Sequence, residues 1–238
     1  MKSERRKRLH DATREEIKEA AWQQITRDGA AALSLRAIAK QLDLTSPALY
    51  HYYPNRDALV NDLIKDAFHL LATSVEQVLS LLPQNDHVNR FLAIGNAYRN
   101  WANAYPQRYV LIFGVPIPNY QPSLEDIEGI QTEGNRALGI LVHVIGEAWQ
   151  AGKINLPAYY QNLTPLLRTR LEGWKQITGL DYPVQVLYLT LIAWCRIHGI
   201  VSLELRQQFP PIADAAEVFG LEVKAFLMQI GMSESNSR

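Results

Sequence analysis

The chain of 238 residues has one cysteine, no net charge and few methionines. A single cysteine, Cys195, leaves no disulfide framework and no zinc-finger spacing within one chain, which fits a reducing, cytoplasmic setting. Long apolar runs are also missing. The longest, Leu138–Ile145 and Val186–Cys195, are far short of the roughly 20 residues a membrane span needs. The basic stretch Lys2–Arg8 is not followed by an apolar segment of the kind a signal peptide carries. No membrane association is expected. The six histidines, at positions 10, 51, 69, 87, 143 and 198, show no metal-ligand spacing, and no Ser/His/Asp order, Gly-x-Ser-x-Gly or glycine-rich phosphate loop occurs. Glu125, Asp126 and Glu128 cluster at a helix start, where the helix dipole favours them without any catalytic role. The chain is therefore expected to be no enzyme and to hold no cofactor or metal.

What is present is ordinary in bulk, with 47% hydrophobic and 20% charged residues, enough for a core without disulfides or metals. The zero net charge hides a division. Residues 1–60 hold 11 Lys+Arg against 8 Asp+Glu, a balance of +3, and the rest of the chain carries −3. Lys2, Arg5, Arg6, Lys7 and Arg8 stand against Glu4 alone. Such an arm is either a solvated disordered terminus or a source of phosphate contacts, since Lys and Arg supply most non-specific affinity for DNA.

Helical periodicity dominates, and no alternating strand pattern persists. Thr13-Arg-Glu-Glu16 reads as a capping box opening a first helix with Ile17, Ala20, Ala21 and Ile25 on one face, closed at Asp28-Gly29. Ser34 can cap a short second helix carrying Leu35, Ile38, Ala39 and Leu42. Asp43-Leu44 makes a tight turn, Thr45 or Ser46 caps a third helix, and Pro47 fits its first turn. Asn55 caps a long fourth helix up to Pro83. Further helices are expected at about 87–105, 106–113, 123–152, 158–178, 182–207 and 212–230, for nine or ten in all.

Three short helices with a tight turn between the second and third describe either a helix-turn-helix or an ordinary helical hairpin with a wet face. Leu49 and Tyr53 are left for the core. The stretch Leu35-Arg-Ala-Ile-Ala-Lys-Gln-Leu-Asp-Leu-Thr-Ser-Pro-Ala-Leu-Tyr-His-Tyr-Tyr-Pro-Asn-Arg-Asp-Ala-Leu59 resembles the signature of the TetR family of regulators, over residues 13–65 or so. By that resemblance Arg36, Ser46, Pro47 and Ala48 would face base edges. Thr45, Tyr50, Tyr52 and Arg56 would hold phosphates, and His51 could do either. Asp43 stands where the family usually has glycine, and Tyr53 where it commonly has Phe. Position 43 is expected to have positive φ, which Asp tolerates better than most residues.

Behind this head, Tyr98, Trp101, Tyr105, Tyr109 and Phe113, then Trp149, Trp174, Tyr188 and Trp194, are spaced along helices. Singly they suit core packing; together they suit the lining of an apolar cavity. Tyr105–Gly114 and Trp194-Cys-Arg-Ile-His-Gly-Ile-Val-Ser-Leu-Glu-Leu205 resemble a Trp…His-Gly subgroup of the same family. That resemblance places Trp194 and His198 near the pocket, alongside Tyr98, Trp101, Tyr105, Tyr109, Phe113, Trp149 and Trp174. A core histidine satisfied by a backbone carbonyl is the other reading of His198, and Gly199 is expected to admit a neighbouring helix.

The expected fold is all-α: a three-helix helix-turn-helix head joined by a connector helix to a larger helical ligand-binding and dimerisation domain. The expected bounds are a basic disordered arm at 1–12, the head at 13–60, the sensing and dimerisation domain at 61–232 and a frayed tail at 233–238. The resemblance implies a repressor released from a palindromic double-stranded DNA operator by a small apolar or aromatic effector. The alternative is a DNA-binding regulator or accessory protein with a closed core and no effector pocket. A homodimer is expected through the last two long helices, because both carry apolar residues beyond one core-facing stripe.

Overall fold

The computed structural model describes residues 2–211 and 213–232, so the expected tail at 233–238 lies outside the described residues. Among these, eleven α-helices, one 3-10 turn and no strand occur. Helix α1 spans Lys2–Asp28, followed by the 3-10 turn Ala30–Ala32, α2 (Leu35–Gln41), α3 (Ser46–Tyr52) and α4 (Arg56–Leu79). Then come α5 (His87–Ala104), α6 (Pro106–Phe113) and α7 (Leu124–Gln150), with α8 (Ala158–Gln161), α9 (Pro165–Thr178), α10 (Val184–Leu205) and α11 (Ala215–Gln229) completing the chain.

Two expectations about helix ends are corrected. The segment 2–12, expected to be a disordered arm, forms the first three turns of α1, because nothing between Lys2 and Thr13 is Gly or Pro. Thr13 is thus no N-cap; its hydroxyl donates back to the Leu9 carbonyl at 3.1 Å inside the helix. The expected single helix over 158–178 is two, α8 and α9. Pro165 takes the first position of α9 and forces Thr164 into extended backbone at φ −60, ψ 150. The Thr164 side chain then accepts from the Leu167 N–H as a cap.

The chain packs as two compact units. One comprises the residues up to His69 together with Tyr105–Glu133; the other comprises Leu70–Ala104 and the residues from Gly134 onward. These limits differ from the expected border at residue 60, and the division runs through α4 and α7.

The first unit closes over Ile17, Ala21, Ile25, Leu35, Ile38, Leu49, Tyr53, Leu59 and Leu63, all buried. Gly29 ends α1 at φ 80, and the α2–α3 turn holds Asp43 at φ 53, as its place in the motif requires. In the second unit α10 packs against α5, α9 and α11. Phe91 of α5 stacks on Phe226 of α11 with ring centroids 5.5 Å apart. A Cβ at Gly146 would lie 2.3 Å from the Tyr182 ring, so α7 and the residue before Pro183 can approach only over a glycine. Gly199, expected to serve this purpose, faces open space. Helix α10 is long and apolar enough to cross a membrane by length and composition, with mean hydropathy 1.6, a length that counting uninterrupted apolar runs understated. It buries Val186, Leu187, Leu189, Thr190 and Val201 within its unit.

Candidate nucleic-acid interface and effector site

Helix α3 is built to be held from one side and read from the other. The Thr45 side chain accepts from the Ala48 N–H at 3.3 Å, and the missing N–H of Pro47 is one the first turn would leave unbonded anyway. Leu49 is fully buried, while Thr45, Ser46, Pro47, Tyr50 and His51 are exposed and Ala48 and Tyr52 half-buried. Arg36 is exposed on α2. These eight expected DNA-binding residues share one unit, and five of the seven on α3 or its cap are exposed.

Arg56 is engaged within its own unit. Its Nη2 donates to the Ala30 carbonyl at 2.9 Å and the Ala31 carbonyl at 3.3 Å, and its Nη1 to the Pro118 carbonyl at 3.4 Å. A guanidinium shared among three carbonyls ties the α1–α2 turn and the segment after α6 to the start of α4, a strut role set beside the expected phosphate contact. Two neighbours join it. Asp57 accepts from the Gln121 N–H at 3.1 Å, and buried Asn61 accepts from the Tyr120 hydroxyl. Burial pushes that hydroxyl up to about 12, so it stays a donor.

A second set was not foreseen. Tyr53, one residue past α3, donates its hydroxyl to Asp62 of α4 at 3.0 Å, and Asp62 also accepts from Arg14 of α1. Arg14 lies 5.1 Å above the Tyr53 ring centroid. Burial, ahead of the charges around it, holds the Tyr53 hydroxyl far above its ordinary range. The signal was available in the Tyr standing where Phe is common, but its partners are 39 and 9 residues away. His10 of α1 was missed as well; its ring lies 4.8 Å from that of Tyr52 and 6.3 Å from that of His51.

The expected effector residues fall into two groups. Tyr105, Tyr109 and Phe113 belong to the first unit, where the Tyr109 and Phe113 rings are 5.3 Å apart and Phe113 meets Phe68 edge-on at 5.9 Å. Tyr98, Trp101, Trp194 and His198 come together in the second. The Tyr98 hydroxyl is 2.7 Å from His198 Nδ1. Trp194 stacks on the His198 ring at 4.5 Å, and Trp101 is 6.3 Å from Tyr98. Burial, then the charge of Arg206, lowers the His198 pKa, so the ring is held neutral. One of its partners is the Tyr98 hydroxyl, a side chain 100 residues away. Trp149 on α7 and Trp174 on α9 are half-buried in the same unit.

Known proteins resemble this arrangement along nearly its whole length. Residues 17–63 match the family described as bacterial regulatory proteins, tetR family. Residues 91–226 match the tetracyclin repressor-like C-terminal domain, a coarser class than the Trp…His-Gly subgroup. The HTH-type transcriptional regulator Rv1816 of Mycobacterium tuberculosis is 29% identical over 211 residues, 87% of this chain and 88% of its own. The crystal structure of the regulatory protein SCO4313 superimposes with a TM-score of 0.76 at 33% identity, covering 93% of this chain and 98% of its own. FadR from Bacillus subtilis, solved in complex with stearoyl-CoA, has the same fold, with a TM-score of 0.62 at 16% identity and coverage of 90% and 98%.

Proposed function

The chain belongs to the TetR family and is a transcriptional regulator with a DNA-binding helix-turn-helix, not an enzyme; we propose that it is a cytoplasmic, homodimeric repressor released from a palindromic operator by a small apolar effector. The observation that carries the operator reading is the two-sidedness of α3. Its buried Leu49 and the Thr45 cap fix the helix, and Arg36, Ser46, Pro47 and Ala48 are left to meet base edges in a major groove. Thr45, Tyr50, His51 and Tyr52 are left for phosphates. Twofold symmetry doubles the contacts that one two-turn helix can make.

Selection of duplexes from a random-sequence pool by the full-length protein tests this reading, and a palindromic consensus is the expected result. On that consensus, Tyr50→Ala should weaken binding to all sequences alike, because phosphate contacts position without reading. Arg36→Ala should relax preference at one or two base positions, at about 1–3 kcal/mol if its contact is bidentate. Equal losses on the consensus and on scrambled duplex would remove Arg36 from the reading set.

The effector reading rests on the Tyr98, Trp101, Trp194 and His198 cluster, an apolar wall with one neutral polar pair. The stearoyl-CoA held by FadR gives a chemical class to try first, a long acyl chain. Ligand release works only if the effector prefers one of two head positions. One observation favours a second reading, a regulator whose body packs shut: Trp194 already stacks on His198 and Tyr98 already bonds it. Quenching of tryptophan emission by acyl ligands, lost in Trp194→Phe, supports the effector; no quenching by any apolar probe supports the closed body.

A further inference from the structure

We propose that the first two turns of α1 form a preorganised phosphate rail, in which Arg6 and Lys7, and not Arg5 and Arg8, contact the DNA backbone flanking the site that α3 reads. The proposal rests on the assignment of α3 to the major groove. Its own support is the place of His10. That ring packs against Tyr52 at 4.8 Å and faces His51 at 6.3 Å, so one face of α1 is pinned to the C-terminal end of α3. Residues three and four apart share a helix face. Lys7 and Arg6 are three and four residues before His10, which puts both on the pinned face one turn further on.

Arg5 and Arg8 lie on the opposite side, with Glu4 beside them, and Asp11 sits next to His10 at 3.5 Å. Arg5, Arg6, Lys7 and Arg8 are all exposed. At about 1.5 Å per residue, Arg6 stands about 6 Å beyond His10 along the axis. A duplex strand carries one phosphate per about 3.4 Å of its axis, so the pair spans roughly two phosphates past those within reach of Tyr50 and His51. A helix fixes which cations face the strand; a flexible arm would use all of them without distinction.

The probe is the duplex that the wild-type protein selects from a random pool, titrated by fluorescence anisotropy between 50 and 200 mM KCl. Each lost phosphate contact lowers the slope of log affinity against log salt by about 0.9. Arg6→Ala with Lys7→Ala should therefore reduce the slope by about 3.6 for a dimer losing four contacts. Arg5→Ala with Arg8→Ala removes the same charge and should leave the slope near wild type. Leu9→Pro, at an exposed position, keeps every charge but breaks α1 there, and should weaken binding while the melting temperature holds. Equal slopes for the two double variants, or wild-type binding by Leu9→Pro, would overturn the rail. If the wild-type protein enriches no duplex at all, the reading of α3 fails first.

Discussion

Replacing Arg56 by alanine separates two roles that the same residue could play. In the structure the guanidinium bridges three carbonyls, with Nη2 to Ala30 at 2.9 Å and Ala31 at 3.3 Å and Nη1 to Pro118 at 3.4 Å. A hydrogen bond to a charged group contributes about 1.5–3 kcal/mol when well made. Only the first has near-ideal length, and the other two are stretched. The side chain keeps 23% of its surface in water, near Asp57 at 3.8 Å, so screening trims the sum. A loss of about 2 kcal/mol is the consistent figure. For a chain of this size each kcal/mol moves the melting temperature by about 2–4 °C, so Arg56→Ala should melt about 4–8 °C early.

The alternative role predicts the reverse pair of results. A surface phosphate contact removed by Arg56→Ala would change stability within about 0.5 kcal/mol and lower the salt slope by about 0.9 per head. Scanning fluorimetry and anisotropy titration across KCl, run on the same preparation, read both quantities. The strut reading requires an early melt with an unchanged slope. A wild-type melting temperature with a reduced slope would refute it and return Arg56 to the phosphates.

Two further outcomes follow from the second unit. Leu221 of α11 is 61% exposed, on a face with Met228, while Leu191, Cys195 and Leu203 are exposed on α10; Leu221→Arg should fold normally, sediment as a monomer and lose operator binding, and a variant that stays dimeric would rule this face out of the interface. Phe226 is unsuitable for the same test, because it is 1% exposed and its removal would open the monomer core. The His198 pKa is lowered by burial and by Arg206, so the folded state disfavours its proton. The stability that neutral His198 contributes is present above the unfolded value of about 6.5 and is lost as pH falls through the lower folded value. The difference in melting temperature between wild type and His198→Gln should therefore shrink or reverse on going from pH 7.5 to pH 5, and a constant difference would contradict the assignment.

The legible parts of this chain were those whose cause is local. Gly29 at a helix end, Asp43 at a positive-φ turn, Thr45 and Pro47 at the start of α3 and Asn55 before α4 each act within four residues, and each stands where its chemistry demands. Local rules misled where a competing local rule was overlooked: Pro165 outweighed the apolar period across 158–178, and good helix formers upstream overrode the cap pattern at Thr13. Side chains that choose partners far along the chain were not legible. Arg56 could not be seen to reach Pro118, 62 residues on. Nor could spacing along a helix show that Tyr105, Tyr109 and Phe113 pack in one unit and Tyr98 and Trp101 in the other.

Tyr53, one residue past α3, does more than fill the ring-sized space that a phenylalanine could fill equally well. A phenylalanine there would bury an equivalent ring against Leu49 and the rest of that core. The hydroxyl adds a donor to Asp62, and with it a half-buried polar network joining α1, the residue after α3 and α4 through Arg14, Asp62 and Tyr53. Such a network contributes most when its buried members are bonded, and the buried member here, the Tyr53 hydroxyl, both donates to Asp62 and accepts from Arg14. The tyrosine stays protonated because burial opposes its anion, Asp62 Oδ2 accepts from both Tyr53 and Arg14, and the guanidinium has the carboxylate as its counter-charge. Lys18, one turn further along α1, repeats the link to α4 through Asp66 at 2.6 Å. Two ionic ties run from α1 to α4, and Tyr53, one residue past α3, bonds to both partners of the first, which opposes a tilt of α3 alone. Within the first unit α1, the residue after α3 and the first half of α4 are therefore tied to one another, and on the proposed operator reading it is this tied set that would present α3 to a duplex.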